Sequence, residues 1–323
     1  MGQCAAALRT DLAVSQSEPA APPRRLIHFT PLRYPGVKGK LAAYIKNLMK
    51  ANHLLDGEYV EPYAGGAAIG LELLFHEYVS RIHINDVSRP VHAFWKSVLH
   101  HTEELCQLVT DTPLTVKAWD RQKRVLAKQT EHDDLALGFA TFFLNRTNRS
   151  GILNAGIIGG RDQTGPWKID ARFNAPELVH RITAIAGMKG RIVLTCQDAL
   201  KFLKHGITRW PQKTLIYLDP PYYVKGRELY YDFYQHEDHD RVARFVTTNI
   251  DRQNWIVSYD NVEAIRNLYK GSRYVTYDIG YSARFSRQGS EVMFFCERLQ
   301  VPPLVGPIQA TEASRNLRRR RSA

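Results

Sequence analysis

The residues best suited to chemistry follow an apolar run in the second half of the chain. Residues 214–218 read Thr-Leu-Ile-Tyr-Leu, and Asp219, Pro220, Pro221 and Tyr222 come directly after them. The run predicts a buried strand, which must stop at Asp219 because proline cannot continue a ladder. In an open α/β sheet, ligands bind at the carboxyl ends of the strands. We therefore expect a carboxylate, a backbone carbonyl and an aromatic ring to meet at the edge of a ligand site.

These groups favour one kind of ligand. The Asp219 carboxylate and the Pro220 carbonyl are neighbouring hydrogen-bond acceptors, which suits an exocyclic amino group, and the Tyr222 ring could stack on the base that carries it. A solvated acid at an ordinary strand-to-turn junction is the alternative interpretation. A strand followed directly by Asp-Pro-Pro-Tyr favours the ligand site.

A strand, a glycine turn and a helix follow one another between Tyr59 and Phe75, with Gly65 and Gly66 in the turn. Glycines at such a turn let a ligand approach the backbone closely. The spacing is neither G-x-G-x-x-G nor that of a Walker loop, but a nucleotide-like ligand still fits. Asp86 ends the next strand about 20 residues later, where an acid can bind ribose hydroxyls; a helix N-cap is its alternative role.

A loop of residues 31–40 is rich in glycine, proline and cations and precedes an apolar stretch with helical spacing. Backbone donors and a lysine in such a loop can hold a carboxylate or phosphate, although a plain surface loop is equally consistent with the sequence.

The alternation of strands and helices stops between Val91 and about Gly190. Helices are predicted at 94–109, 115–128 and 133–143, followed by a polar, basic and glycine-rich hairpin or long loop over 145–167. Strand–helix alternation resumes at 191–204, and strands at 255–259, 274–279 and 291–296 follow, the last two as an antiparallel pair. The different composition of the middle hundred or so residues predicts an inserted subdomain.

Composition limits the class of protein. The 323 residues carry a net charge of +12, which suggests a polyanionic partner, although a basic surface also serves solubility. No apolar run approaches the ~20 residues that a membrane span needs. The four cysteines are far apart, which argues against a zinc site or a disulfide framework and suits a reducing cytosol. The two ends of the chain, including five arginines after residue 311, are predicted to be disordered.

The order of these motifs resembles that of the Dam-like, D12 class of adenine-specific N6 DNA methyltransferases, over about residues 30–297. Its most specific element is Asp219-Pro220-Pro221-Tyr222. The supporting elements are Tyr34 and Lys38, Glu61-Pro62-Tyr63-Ala64-Gly65-Gly66, Asn85-Asp86, Asn145-Arg146, and Ser290-Glu291-Val292. The turn departs from the family's usual Gly-x-Gly, because it reads Ala64-Gly65-Gly66-Ala67.

The resemblance implies an α/β fold: a Rossmann-like, seven-stranded methyltransferase sheet with an inserted, mainly helical target-recognition subdomain. The expected organisation is a disordered extension at 1–26, a discontinuous catalytic domain at 27–93 and 190–300, a DNA-binding insertion at 94–189, and a basic disordered tail at 301–323. We expect a monomeric cytoplasmic protein, bacterial or phage-encoded, that acts on double-stranded DNA without a membrane and takes part in DNA modification such as restriction–modification.

The resemblance also implies the site residues, with S-adenosyl-L-methionine as the cofactor and no metal. The catalytic residues are Asp219, Pro220 and Tyr222. The cofactor-binding residues are Tyr34, Lys38, Glu61, Tyr63, Gly65, Asp86, Asp198 and Asp219. The DNA-binding residues are Arg33, Asn145, Arg146 and Arg149.

The chemistry predicted for this site is a direct methyl transfer to a flipped adenine. Asp219 and the Pro220 carbonyl would accept hydrogen bonds from N6, and Tyr222 would stack on the base, so that positioning and electrostatics set the rate. Three alternatives remain open from the residues alone: N6 of adenine in RNA, N4 of cytosine, and a DNA-binding protein that keeps the fold without turnover.

Overall fold

The computed structural model describes residues 29–33, 41–224, 234–250, 252–279, 289–304 and 309–310. Its centre is an eight-stranded sheet in the order β3-β2-β1-β4-β5-β7-β6-β8. The strands are β1 Gly57–Glu61, β2 Val79–Asn85, β3 Ile192–Thr195, β4 Thr214–Leu218, β5 Asn254–Asp260, β6 Arg273–Ile279, β7 Gly289–Phe295 and β8 Gln309–Ala310. The predicted Rossmann-like α/β fold is confirmed, and β8 adds a two-residue strand to the seven that were expected.

The sheet is parallel in one part and antiparallel at one edge, and the burial of its strands fits this division. Strands β1 to β5 pair in parallel, whereas β7 runs antiparallel to β5 and β6 runs antiparallel to β7. All five residues of β4 and the first six of β5 are buried, as is typical of parallel strands covered on both faces. The predicted antiparallel pair of β6 and β7 is therefore present at the edge where the parallel part of the sheet ends.

Ten α-helices accompany the sheet in the described part of the chain. They are α1 Ala42–Ala51, α2 Ala68–Phe75, α3 Arg89–His100, α4 Thr102–Asp111, α5 Val116–Ala127, α6 Asp134–Thr147, α7 Ala175–Gly187, α8 Ala199–Gly206, α9 His236–Asn249 and α10 Glu263–Leu268. Side-chain caps fix several helix starts, because Thr115, Asp133, Asn174 and Asp198 each accept a backbone N–H from the first turn that follows. None of the described helices has the length and apolar character needed to cross a membrane.

Two helix boundaries in the 89–187 region differ from the sequence prediction. The single helix predicted over 94–109 is two helices, α3 and α4, which meet at His101. The predicted helix ending at 143 continues to Thr147, so Asn145 and Arg146 lie in its last turn rather than in a loop. Burial of Asn145 and Thr147 explains the extension, since tertiary contacts override the low helix propensity of asparagine and threonine.

The five helices α3 to α7 form a layer of their own whose apolar side chains join those of the sheet in one core. Helices α3 and α6 lie close together: the Phe94 and Phe142 rings stack with centroids 5.7 Å apart, and the Ser97 hydroxyl donates to the Asp134 carbonyl at 2.9 Å. Gly138 permits this approach, because a Cβ there would lie 2.5 Å from the Ala93 carbonyl oxygen. That residues 94–189 form an inserted domain of their own remains a prediction.

Replacing Gly138 by alanine should push α6 away from α3. We expect Gly138→Ala to lower the free energy of unfolding by about 1–3 kcal/mol, as overpacking does in other cores. Gly187→Ala in α7 is the matched control: a Cβ there meets nothing within 4 Å, so it should be neutral or stabilise by up to about 1 kcal/mol. Chemical denaturation measures both, and equal effects of the two substitutions would contradict the close-approach role of Gly138.

Candidate active site

The site lies where the strand order reverses, between β1 and β4. These two strands are parallel neighbours with Val60 opposite Ile216, and the chain leaves them in opposite directions along the sheet. Glu61 ends β1 and Asp219 follows β4, so two carboxyl groups stand at the switch point where open α/β sheets bind ligands. The sequence prediction that Asp219 lies at such a strand end is confirmed.

Asp219 is held by the neighbouring strand β5. The Ser258 hydroxyl donates to Asp219 Oδ1 at 2.8 Å, and the Tyr217 hydroxyl lies 2.7 Å from Ser258 Oγ. Because Ser258 gives its only hydrogen to Asp219, Tyr217 donates to Ser258. Sequence reasoning did not find Ser258, which lies 39 residues from Asp219.

The turn after Asp219 is fixed by a second residue of β5. The Asp260 carboxylate accepts the backbone N–H of Tyr223 at 2.9 Å and that of Val224 at 3.0 Å. Both oxygens of Asp260 therefore bind the turn that carries Pro220 and its carbonyl. Asp260 was not predicted either, since its role follows only from the pairing of β4 with β5.

Tyr222 is anchored by its hydroxyl. Its side chain is 5% exposed, and the hydroxyl donates to Glu291 Oε1 at 2.7 Å, while Tyr277 donates to Glu291 Oε2 at 2.8 Å. Glu291, itself buried on β7, thus holds two tyrosines. The sequence motif that contains Glu291 is brought to the Asp-Pro-Pro-Tyr turn, and stacking of Tyr222 on a base remains a prediction.

The glycine turn is held through both backbone polar groups of Gly65. Gly65 N–H donates to Asp86 Oδ2 at 2.8 Å, and the Trp95 indole N–H donates to the Gly65 carbonyl at 2.8 Å. Asp86 Oδ1 accepts the N–H of Ser88, which is the N-cap residue of α3. Asp86 therefore supports the turn and the start of α3 without itself being the cap.

Glu61 has a buried carboxyl oxygen without a partner. Its Oε1 accepts the Tyr59 hydroxyl at 3.1 Å and the Gly70 N–H at 3.3 Å, whereas Oε2 makes no hydrogen bond within the described ranges. Burial raises the pKa of Glu61 to about 8, and the charge of Asp219 adds to this, against the lowering effect of the hydrogen bonds from Tyr59 and Gly70. A buried acceptor of this kind suits a ligand cation, and S-adenosylmethionine carries two, the sulfonium and the ammonium group.

Aromatic side chains lie on the other flank of the turn. The Tyr63 and Tyr234 hydroxyls are 3.1 Å apart, with ring centroids at 6.0 Å in a T-shaped arrangement. Burial raises the pKa of Tyr234 to about 12, and the nearby charge of Asp198 contributes. Asp198 is exposed and caps α8 through the Lys201 N–H. Tyr63 and Asp198 are thus brought to one side of the site, together with Tyr234, which was not predicted.

A neutral histidine packs behind these rings. His239 is buried against Tyr223, Tyr234 and Tyr259, and its Nδ1 lies 3.1 Å from the Tyr259 hydroxyl. Burial lowers the pKa of His239 to about 4, so the ring is uncharged near neutral pH. Within the described ranges, no group of three or more histidine, cysteine, aspartate or glutamate side chains could hold a metal ion.

The predicted DNA-binding residues form a second region. Asn145 is buried and pairs with the backbone of Arg33: Arg33 N–H donates to Oδ1 at 2.7 Å, and Nδ2 donates to the Arg33 and Gly151 carbonyls at 2.8 Å each. Arg146 donates to the Pro31 carbonyl, and Arg149 is exposed. The amide of Asn145 is therefore engaged within the protein, and the structure supports a positioning role for it. Tyr34 and Lys38, predicted to bind the cofactor, lie outside the described residues.

Ionisation of Glu61 should make stability depend on pH. Its folded-state pKa of about 8 lies above the ordinary value of 4.5, so protonated Glu61 favours the folded state. This contribution to the free energy of unfolding is fully present below about pH 4.5 and is lost as the pH rises through 8. We expect the free energy of unfolding of the wild type, measured without ligand, to fall by a few kcal/mol relative to Glu61→Gln between pH 5 and 9. Glu104→Gln, which changes an exposed acid on α4, should leave the wild-type pH dependence intact. Parallel curves for the wild type and Glu61→Gln would contradict the prediction.

Comparison with solved structures gives distant likenesses. A SAM-dependent methyltransferase from Agrobacterium tumefaciens is 10% identical with a TM-score of 0.35, over 79% of this chain and 61% of that one. This chain therefore spans about three fifths of the Agrobacterium protein. Protein LPL1258 from Legionella pneumophila is 11% identical with a TM-score of 0.32, over 84% and 88% of the two chains. No curated protein matches the sequence significantly.

The family comparison is more specific. A model of the D12 class N6 adenine-specific DNA methyltransferases matches residues 34–279, which contain the glycine turn, the α3–α7 helices and the Asp-Pro-Pro-Tyr turn. The match covers most of the chain, and S-adenosyl-L-methionine is the cofactor of these enzymes. With the sheet order and the two carboxyl groups at its switch point, it shows that this chain belongs to the D12 class of N6 adenine-specific DNA methyltransferases.

Proposed function

We propose that this protein transfers the methyl group of S-adenosylmethionine to N6 of an adenine flipped out of double-stranded DNA. The observation that carries the proposal is the fixed Asp219: Ser258 orients its carboxylate, and Asp260 holds the turn behind it. An acceptor must be held in this way before substrate arrives if it is to position an amino group for transfer.

The cofactor would lie along the carboxyl ends of β1, β2 and β3. Glu61 offers a buried acceptor for its cationic part, and the Gly65 turn lets the ligand approach the backbone. Asp86 and Asp198 stand at the ends of the next two strands for the nucleoside, with Tyr63 beside them. Tyr34, Lys38 and Asp219 complete the proposed set. When bound, the cofactor would supply a methyl group carried on a sulfonium, whose sulfur leaves as a thioether.

The target base would be held on the other side of Asp219. A carboxylate has about four acceptor lone pairs, so Asp219 can accept from N6 while it accepts from Ser258. Together with the Pro220 carbonyl, it would turn the N6 lone pair towards the methyl group. Asp219 would hold N6 in line with that methyl group while the methyl moves from sulfur to nitrogen, and it would pass the excess proton of N6 to water. Flipping the base costs a few kcal/mol of unstacking, which protein–DNA contacts must offset.

DNA contacts are proposed for the region around the end of α6. Arg33, Arg146 and Arg149 supply cations, and Asn145 sets the position of Arg33 through paired hydrogen bonds to its backbone. Trp167 is 67% exposed, which makes it available for stacking. A cytoplasmic setting is part of the proposal, because Cys106, Cys196 and Cys296 are free thiols.

Removing the acceptor should remove the reaction. We expect Asp219→Ala to reduce methyl transfer at least about 10²-fold, because positioning of N6 is lost, while the fold persists. Incorporation of tritiated methyl groups into DNA and RNA, with identification of the methylated base, measures this. Full activity of Asp219→Ala would refute the mechanism. Methylation of adenine in RNA, or of N4 of cytosine, would show that the substrate differs from the one proposed. Absence of methyl transfer by the wild type would favour the non-catalytic alternative.

The contributions of the ring and of the hydroxyl of Tyr222 can be tested separately. Tyr222→Phe keeps the ring and leaves Glu291 one hydrogen bond short, so we expect a stability loss of about 1–3 kcal/mol with most activity retained. Tyr222→Ala removes the stacking surface and should reduce activity much more. Denaturation and methyl-transfer rates distinguish the two variants, and equal activity of both would contradict a stacking role.

A further inference from the structure

Four arginines gather in the 29–187 region from separate parts of the chain. Arg33 precedes α1, Arg146 lies in the last turn of α6, Arg172 precedes α7, and Arg181 lies within α7. The other three lie close enough to Arg146 to affect its pKa, since the charges of Arg33, Arg181 and Arg172 each disfavour its ionisation. We call these four residues the arginine cluster.

Backbone carbonyls fix three members of the arginine cluster in place. Arg33 Nη1 donates to the Asn148 carbonyl at 3.2 Å, Arg146 Nη1 to the Pro31 carbonyl at 3.4 Å, and Arg181 Nη1 to the Thr30 carbonyl at 3.0 Å. The Arg172 guanidinium lies over the exposed Trp167 ring at 6.0 Å. The cluster is thus preorganised and reaches solvent at Arg172.

The charge of the cluster is poorly compensated. Glu177 pairs with Arg181, but Arg33, Arg146 and Arg172 form no ion pair in the described part of the chain. Burial, followed by the charges of Arg33 and Arg181, lowers the pKa of Arg146 to about 9; the charge of Glu177 opposes this shift, and Arg172 adds to it. Burial also lowers the pKa of Arg33, with a contribution from Arg172. Holding these cations together in a partly buried region costs free energy through desolvation and mutual repulsion, and a bound anion would offset that cost.

Two donors in the cluster also lack acceptors. Arg146 Nε and Arg181 Nε are buried and make no hydrogen bond to any residue that the structure describes. Leaving a buried donor unsatisfied costs about 1–3 kcal/mol each, and more for a charged group. A phosphate group has several acceptor oxygens and pairs with arginine in a planar, bidentate manner, so it satisfies both the charge and the donors.

We propose that the arginine cluster is a site for one backbone phosphate of the DNA duplex, with Arg172 and Arg181 as contacts in addition to Arg33 and Arg146. The proposal rests on the proposed function, which supplies duplex DNA as the partner. It makes the cluster an anchor that sets the register of the duplex without reading its sequence.

The slope of duplex affinity against salt concentration tests the site, because each phosphate contact contributes about 0.9 to it. For a mixed-sequence DNA duplex, we expect Arg172→Gln to lower the magnitude of this slope by about that amount. Duplexes of other sequences should lose the same amount of affinity. Between about 50 and 200 mM salt, wild-type affinity should then fall about 3.5-fold more than that of the variant. Arg124→Gln, which removes an exposed arginine of α5, should keep the wild-type slope.

Arg181→Gln provides a second variant, with thermal unfolding as the check of its fold. Arg172 is exposed on the surface, so Arg172→Gln should fold and still tests the phosphate site if Arg181→Gln does not fold. An unchanged slope in Arg172→Gln overturns the site, and so does tighter, Arg172-dependent binding of RNA. A wild type that shows the Arg172-dependent slope but transfers no methyl group would refute the proposed reaction and leave the phosphate site standing.

Discussion

One buried amide joins the ends of three parallel strands. Asn85, which is fully buried at the end of β2, donates to the Pro62 and Gln197 carbonyls at 3.0 and 2.9 Å. Its Oδ1 accepts the Thr195 hydroxyl and the Gln197 N–H at 2.8 and 3.0 Å. Both donors and the acceptor are used, so no other side chain of this size can replace it: aspartate would set an oxygen against two carbonyls. The wall along which the cofactor is proposed to lie depends on this residue.

The other half of the site is built from β5 and β7. Ser258, Asp260 and Glu291 fix the carboxylate, the turn and the tyrosine of the Asp-Pro-Pro-Tyr segment respectively. Glu61 links the two halves, because the charge of Asp219 repels that of Glu61 across the β1–β4 boundary and adds to the effect of burial in raising the pKa of Glu61. A proton on Glu61 relieves this repulsion in the free protein. A cationic ligand against Glu61 would favour its ionised form and so replace that proton.

Local patterns were sufficient to predict the strand ends and the pairing of β6 with β7, but not which strand lies beside β4. The apolar run and the two prolines predicted β4 and the place of Asp219 correctly, since strand termination is a property of neighbouring residues. Ser258 and Asp260 were missed because their roles depend on which strand lies beside β4. The end of α6 was missed for the same reason: Asn145 is helical where its amide pairs with Arg33, 112 residues away. The roles assigned to the site residues from the family resemblance remain predictions.

The departure of the glycine turn from Gly-x-Gly has a structural explanation. Gly65 and Ala67 both have positive φ, at 46° and 47°, so the backbone takes at position 67 the left-handed conformation that glycine adopts most easily. Alanine there costs about 1–2 kcal/mol. Its methyl group is buried in the core, and alanine restricts the unfolded chain more than glycine does, which offsets part of that cost. The turn therefore keeps its shape through packing and through the bonds of Gly65 to Asp86 and Trp95, so the missing glycine is compatible with the close backbone approach proposed for the cofactor.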